Sequence, residues 1–567
     1  MTIPPTMRNR LPILMLSALA GTALTAVLPG YAAAQDAQTE RLQRQIDSLQ
    51  RQLQAVQREM AETKKNQADQ TAAQKKAAAE AARQAVADAY GKAGGPGPTK
   101  APGFLPPGVK LSWGGFIEAA GIYRTRNEVA DVGSDLNNIP YPISPLYHEN
   151  ELRFSARQSR LWFLAEGDIS TSQIIKAYFE MDFLGAATTA NSIQSNSYTP
   201  RIRQAFLSWD DSALGWHVLA GQAWSLVTQN KNGIVARQEN TPLTIDAAYV
   251  VGFNFTRNPQ FRVVKDFGPA VSVGVSAESP QVRFQTPGSA SPPGVTILSV
   301  ETGTQSGNMD TLQNYSIDHV PDFVEKIAFD PGWGHYEVLG LQRWFTDRTC
   351  MPATTSFCLG TTANNTTFGW GVGGSALLPA VPKFLDLQGS ILYGQGIGRY
   401  GAGQLPDVTF DAQGKLSPIT ALQAMVGAVG HVTPDLDVYV YAGLERDDAK
   451  FGGATSSTAF GLGNPLYSDA FCFSENFATP AAPTSPVTGV LSNSACSVNV
   501  KQLAEITVGA WYNFYKGEYG RLTGGLQYEY IHRDTFQGLA GATLAAGFVS
   551  PSTDESIFMT SLRYYFP

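Results

Sequence analysis

The stretch that decides the fold is SQIIKAYFEMDFL, residues 172–184. Its apolar side chains fall on alternate residues, Ile175, Ala177, Phe179, Met181 and Phe183. The residues between them are Lys176, Tyr178, Glu180 and Asp182. A period of two indicates a β-strand with one apolar and one polar face. The same alternation recurs in KLSWGGFIEAAGIYRTR at 110–126 and in the last residues, where Phe558, Leu562, Tyr564 and Phe566 oppose Ser561 and Arg563.

Composition favours one large β structure. The chain has 567 residues with a formal net charge of -7, 16% charged residues, 11% aromatic residues and 55 glycines. Its mean hydropathy of -0.13 is too low for a bundle of membrane helices, and its charge content is too low for a disordered chain. Beyond the N-terminus no run of about 20 apolar residues occurs, so a membrane could be crossed only by a closed barrel.

The N-terminus predicts export. Arg8 and Arg10 precede the apolar run LPILMLSALAGTALTAVL, and a small-residue site, AAAQ, follows at 32–35. This pattern is typical of a secretory signal peptide, residues 1–34, cleaved after Ala34. A membrane anchor is the alternative, but the apolar run is short for one.

Two further segments precede the strands. Residues 35–90 predict a periplasmic coiled-coil helix, with a heptad seam formed by Leu42, Ile46, Leu49, Leu53, Val56 and Met60. Such a seam indicates an oligomer but does not decide between a dimer and a trimer. Residues 91–108 are rich in Gly and Pro and predict a linker. The β-barrel is then expected at 109–567.

Connections between strands alternate in length, which separates a barrel from a soluble sandwich. Seven short turns are expected near 167, 210, 266, 330, 378, 433 and 516. Eight longer stretches lie near 127–150, 185–200, 227–248, 280–322, 346–367, 399–416, 447–502 and 534–554. Fifteen links imply about sixteen strands of a transmembrane antiparallel β-barrel with short periplasmic turns and long external loops, although 14 or 18 strands remain open.

Four cysteines lie in or beside the expected external loops. Three pairings are possible, and the local one, Cys350 with Cys358 and Cys472 with Cys496, is favoured for an exported protein. Neither spacing resembles a zinc site.

No enzyme signature is present. The six histidines are scattered, no HExxH motif occurs, and there is no Gly-x-Ser-x-Gly elbow. We therefore expect no enzyme activity, no cofactor or metal and no nucleic-acid partner, and we look for function on the polar strand faces.

Arginines on these faces are the candidate anion-binding residues of a pore constriction, because guanidinium groups in a narrow lumen attract carboxylates and phosphates. The candidates are Arg153, Arg157, Arg160, Arg203, Arg257 and Arg262. In the strand RFSARQSRLWFLAEGD the alternation places Arg160 opposite to Arg153 and Arg157. A bulge between Gln158 and Arg160 would remove this conflict. Each arginine could instead form an ion pair within the wall, with Glu118, Glu180 or Asp182 as partners.

The sequence resembles the DcaP-like trimeric porins of Gram-negative bacteria. The resemblance rests on the coiled coil, the linker, GGFIEAAGIYRTR, RFSARQSRLWF and FTRNPQFR at 255–262. The C-terminus departs from the usual pattern, because the chain ends SLRYYFP with Phe566 one residue early.

This resemblance implies a sixteen-stranded homotrimer in outer-membrane lipid with a periplasmic helical N-terminus. It also implies passive uptake of small anionic solutes such as dicarboxylates, with Arg157, Arg160, Arg257 and Arg262 as candidate constriction residues. A phosphate-selective porin and an envelope tether with a largely closed barrel remain alternatives.

Overall fold

A computed structural model describes residues 108–185, 198–284, 292–299, 316–353, 358–475, 496–541 and 544–567. The predicted signal peptide, coiled coil and nearly all of the linker lie outside the described residues. Among the residues described, no helix has the length and apolarity needed to cross a bilayer.

The elements follow one another as antiparallel strands joined by turns and loops. The strands are β1 (Val109–Arg124), β2 (Glu151–Ser155), β3 (Arg160–Asp168), β4 (Gln173–Gly185), β5 (Thr199–Asp211), β6 (Trp216–Trp224), β7 (Arg257–Asp266), β8 (Val271–Glu278), β9 (Thr296–Ser299), β10 (Asp322–Phe329), β11 (His335–Ala353), β12 (Cys358–Val381), β13 (Leu385–Gln395), β14 (Val408–Phe410), β15 (Leu416–Pro418), β16 (Thr420–Thr433), β17 (Leu436–Asp447), β18 (Lys450–Gly452), β19 (Phe460–Leu462), β20 (Val500–Gly517), β21 (Gly520–Thr535), β22 (Gly538–Leu539), β23 (Phe548–Val549) and β24 (Ser552–Tyr565). Short 3-10 helices are Pro145–His148, Gly398–Tyr400 and Leu544–Ala546.

The main sheet closes into a barrel because β1 pairs with β24 on one edge and with β2 and β3 on the other. This sheet contains 18 strands within the described part of the chain. β2 and β3 are successive parts of one wall strand, and β9 pairs only with the end of β11, so the wall has sixteen positions. The predicted closed antiparallel barrel of about sixteen strands is therefore confirmed.

The alternation that predicted the strands separates the two faces of the wall. In β4, Tyr178, Glu180 and Asp182 are buried, whereas the Ile175 side chain is 47% exposed. In a closed wall the buried face is the inner one. The outer face carries an apolar band that includes Trp113, which is 58% exposed.

The second wall strand contains the irregularity that the arginine spacing predicted. Ser155 pairs with Ala120, and Arg160 pairs with Phe116. Residues 156–159 therefore oppose only three residues of β1, so one additional residue is present, as in a β-bulge. The alternation shifts by one, and Arg153 and Arg160 consequently share the inner face.

All seven predicted turns are short links at one end of the barrel, which we call the turn end. The opposite end carries the long connections and is called the loop end. Disulfides there join Cys350 to Cys358 and Cys472 to Cys496.

One of the expected external loops does not lie outside the barrel. Residues 225–256, here called the inner loop, link β6 to β7 and fold into the interior. The Gly252 amide donates to Oε1 of Glu445 on β17 at 2.9 Å, and the Val251 amide donates to Oε2 of Glu505 on β20 at 2.8 Å. Buried backbone amides need acceptors, and these carboxylates supply them from the far wall. The sequence prediction of an external loop at 227–248 is therefore wrong.

Apolar packing also fixes the inner loop. Ile245, Val250 and Phe253 are buried in one cluster with Met425 and Tyr439 of the wall. The loop and the opposite wall thus form much of the core, and the loop divides the interior.

Candidate pore constriction

Arg160 begins β3 and presents its guanidinium to the interior. Its Nε lies 3.8 Å from Oε1 of Glu180, which is too long for a hydrogen bond, and it has no hydrogen-bond partner among the described residues. The guanidinium carbon is 5.4 Å from the centroid of the Phe116 ring. Arg160 is therefore only loosely paired with the wall, and its side chain is 24% exposed.

Arg203 lies at a bulge in β5. Glu180 pairs with Gln204 and Met181 with Ile202, so Arg203 is the additional residue and points inward together with Gln204. Its guanidinium contacts Glu180 and also Asp182, the latter at 3.0 Å. Arg203 is consequently occupied by wall carboxylates.

Arg201 also pairs with Asp182. Its Nε and Nη2 donate to the two oxygens of Asp182 at 3.0 and 2.8 Å. Such a bidentate pair fixes the orientation of both groups.

Arg257, at the start of β7, has the fewest partners. Its guanidinium lies 5.0 Å from the Trp224 ring centroid, and its Nη1 is buried without a hydrogen-bond acceptor in the described chain. No carboxylate of the described residues forms an ion pair with it within 4.0 Å. Arg203 lies 5.9 Å from the same ring, so the two arginines are neighbours across Trp224.

Two other candidate arginines, Arg153 and Arg262, have partners outside this group. Arg153 forms an ion pair with Glu151 at 2.8 Å near the loop end. Arg262 is buried and donates to Gln260 Oε1 at 3.0 Å and to the Trp224 carbonyl. These contacts hold both side chains to the wall, and Arg262 also lines a smaller cavity towards the turn end.

Arg157 lies in the turn between β2 and β3 and joins this turn to the end of β4. It donates to the carbonyls of Phe183 and Gly185 at 3.2 and 3.4 Å and to Asp131 at 3.0 Å. The Phe183 amide in turn donates to the Arg157 carbonyl at 3.0 Å, so backbone and guanidinium together join this turn to the end of β4.

Arg563 on β24 lies beside these arginines, although the sequence candidates did not include it. It bonds Glu118 at 2.9 Å and lies 4.9 Å from the Phe116 ring centroid. Phe116 therefore contacts Arg160 and Arg563. The polar-face position of Arg563 in SLRYYFP was the available sequence signal.

These side chains form one connected group, which we call the arginine cluster. Shared carboxylates and shared rings link Arg160, Arg201, Arg203, Arg257 and Arg563 with Glu118, Glu180 and Asp182. Five arginines against three carboxylates leave a formal excess of two positive charges. This local excess contrasts with the net charge of -7 for the whole chain.

A cavity of about 300 Å³ lies between the arginine cluster and the inner loop. Charged side chains of both face it, namely Arg160, Glu180, Arg237 and Glu239. Aromatic residues form much of the remaining lining, namely Phe116, Trp162, Tyr178, Trp224, Tyr249 and Tyr565. Two of these charged side chains are positive and two are negative, and the low-polarity surfaces around them strengthen the field of each.

Comparison with solved structures gives the same architecture. The outer-membrane channel DcaP of Acinetobacter baumannii aligns with a TM-score of 0.53 and 17% identity, covering 81% of this chain and 98% of that one. The fold is that of an outer-membrane channel. An anion-selective porin from Comamonas acidovorans and a Salmonella typhi OmpF complex with daunomycin also align, each with a TM-score of 0.40 and with 10% and 9% identity. They cover 81% of this chain and 100% and 98% of their own.

The predicted resemblance to DcaP-like channels is thus confirmed for the fold. No family model matches the chain, and no curated protein matches it in sequence.

One group of potential metal ligands occurs within the described ranges, at the loop end. It comprises Asp469, Cys472 and Cys496. The two cysteines are joined in a disulfide, so they offer no thiolate to a metal. Burial raises the pKa of the Asp469 carboxyl to about 6, and hydrogen bonds from Ser497 oppose that shift.

Proposed function

We propose that this protein is an outer-membrane porin through which small anionic solutes, dicarboxylates in particular, diffuse passively. The observation that carries the proposal is the arginine cluster beside the inner loop. Within it Arg257 has no carboxylate within 4.0 Å among the described residues, and Arg160 has only the 3.8 Å contact with Glu180, so these two arginines are the least neutralised members of the cluster. Guanidinium groups bind carboxylates through paired hydrogen bonds, which suits this solute class.

We also propose a membrane location and an oligomeric state for the protein. A closed barrel with an outward apolar band satisfies its backbone hydrogen bonds internally and suits a bilayer. The loop end would face the outside, and the turn end would face the periplasm together with the helical N-terminus. We place the chain in outer-membrane lipid as a homotrimer, exported by cleavage after residue 34, and assign it no catalytic activity.

Reversal potentials in a planar bilayer test the role of the cluster. The double variant Arg160→Gln with Arg257→Gln removes the two arginines that have the fewest partners. We expect the chloride-to-potassium permeability ratio to fall about twofold or more, because the local positive excess is lost.

Arg153→Gln is the matched control, since it removes one arginine from the same wall at the loop end. Its permeability ratio should stay near that of the unaltered protein. An unchanged permeability ratio in the double variant would show that neither arginine contributes to ion selectivity. Stronger current block by phosphate than by succinate would favour a phosphate-selective porin, and the absence of conductance would favour a tether.

A further inference from the structure

Part of the inner loop forms a short hairpin, residues 229–240. Asn230 bridges to Glu239, and the Lys231 amide donates to the Gln238 carbonyl at 2.7 Å. The turn of this hairpin contains Arg237, which has a positive φ of 69°. That backbone conformation is uncommon for a residue with a long side chain and is often found at functional sites.

The hairpin is hydrogen-bonded to the wall at β11 and at the turn that precedes β11. The Asn230 amide donates to Glu337 Oε1 at 3.0 Å, and the Gly233 amide donates to Asp330 Oδ2 at 2.9 Å. These contacts set the position of the backbone from which Arg237 extends, so its side chain reaches the opposite wall.

There the guanidinium of Arg237 lies over aromatic rings. It is 4.5 Å from the Tyr178 ring centroid and 5.2 Å from the Trp162 ring centroid. Among the described residues no carboxylate forms an ion pair with it within 4.0 Å. The guanidinium also donates a hydrogen bond to the Tyr178 hydroxyl. Because a guanidinium has five N–H donors, others remain for a ligand.

Arg237 also separates two cavities. It lines the cavity of about 300 Å³ that contains Arg160. It equally lines a second cavity of about 80 Å³, towards the turn end, whose polar residues include Lys176, Asp210 and His217. Of the residues that line either cavity, Arg237 is the one common to both.

We infer that Arg237 is the residue that distinguishes carboxylates from other anions as solutes pass between the two cavities. This inference rests on the proposed porin function and assigns its selectivity to the inner loop. A guanidinium binds a carboxylate through two parallel hydrogen bonds, whereas chloride cannot use that geometry. A dicarboxylate in the larger cavity can meet both Arg160 and Arg237, because both line it.

Current block by succinate in a chloride solution separates charge from geometry. Arg237→Lys keeps the charge but loses the paired donors, and we expect the succinate concentration for half-block to rise about fivefold or more with little change in anion-over-cation preference. Arg237→Gly suits the left-handed backbone and therefore folds without added strain. It should lose succinate block and part of the anion preference.

Lys231→Gln is the matched control, because it removes a positive charge from the same hairpin at an exposed position that lines neither cavity. Its succinate block should equal that of the unaltered protein. Equal block in Arg237→Lys and the unaltered protein, or no succinate block in the unaltered protein, would overturn the inference while an anion-selective channel still stood. Cation selectivity of the unaltered protein would instead overturn the proposed function.

Discussion

Arg157 and Arg160 lie three residues apart on one wall strand and have different surroundings. Arg160 faces the cavity, and its contact with Glu180 is 3.8 Å long. Arg157 is bound by Asp131 and by two carbonyls at the end of β4. Arg157 lies within the irregular residues 156–159 and turns toward Asp131, whereas Arg160 begins the regular strand β3 on the inner face.

Arg157→Ala should therefore lower stability without changing ion selectivity. The variant leaves the Phe183 and Gly185 carbonyls without their donor, a loss of about 1–3 kcal/mol in the free energy of unfolding. Urea unfolding of the folded barrel in lipid checks the change. Arg153→Ala should lose less than about 1 kcal/mol, because its ion pair is partly exposed. A large fall in the chloride-to-potassium ratio of Arg157→Ala would instead place this residue in the pore.

At the scale of elements, the inner loop is the feature that shapes the interior. Its backbone passes directly against β17 at Gly443, where a Cβ atom would collide with the Val251 carbonyl. Glycine is required there by the close approach of the two chains.

Gly443→Val should displace the inner loop from the far wall. We expect a larger single-channel conductance and a weaker preference for anions, because the inner loop would no longer divide the interior. Gly389→Val on β13 is the control, since the nearest atom to its added Cβ is 3.6 Å away. If Gly443→Val conducts and selects ions as the unaltered protein does, the inner loop does not form the constriction.

The sequence predicted the wall far better than the interior. Alternation at 172–184 and turn residues at seven links are local signals, and they were sufficient for sixteen strands. The path of residues 225–256 depends on distant partners such as Glu445 and Glu505, which no local pattern records. Arg237 was missed for that reason, and the bulge at Arg203 was missed because one additional residue leaves little trace in a short strand.

At the scale of the whole molecule, the barrel and the N-terminal segment should be separable. The cavity and the arginine cluster are built from residues after 108. Removal of residues 36–100 should therefore leave conductance and anion preference intact. Chemical cross-linking of the full chain and of the shortened chain would show whether a homotrimer forms and whether residues 36–100 contribute to it. Loss of conductance on removal would contradict this division of roles.

The most direct measurement is the reversal potential of the unaltered protein in a planar bilayer with a potassium chloride gradient. A cluster with two excess positive charges beside the inner loop predicts a chloride-to-potassium permeability ratio above one. A ratio below one would contradict the account.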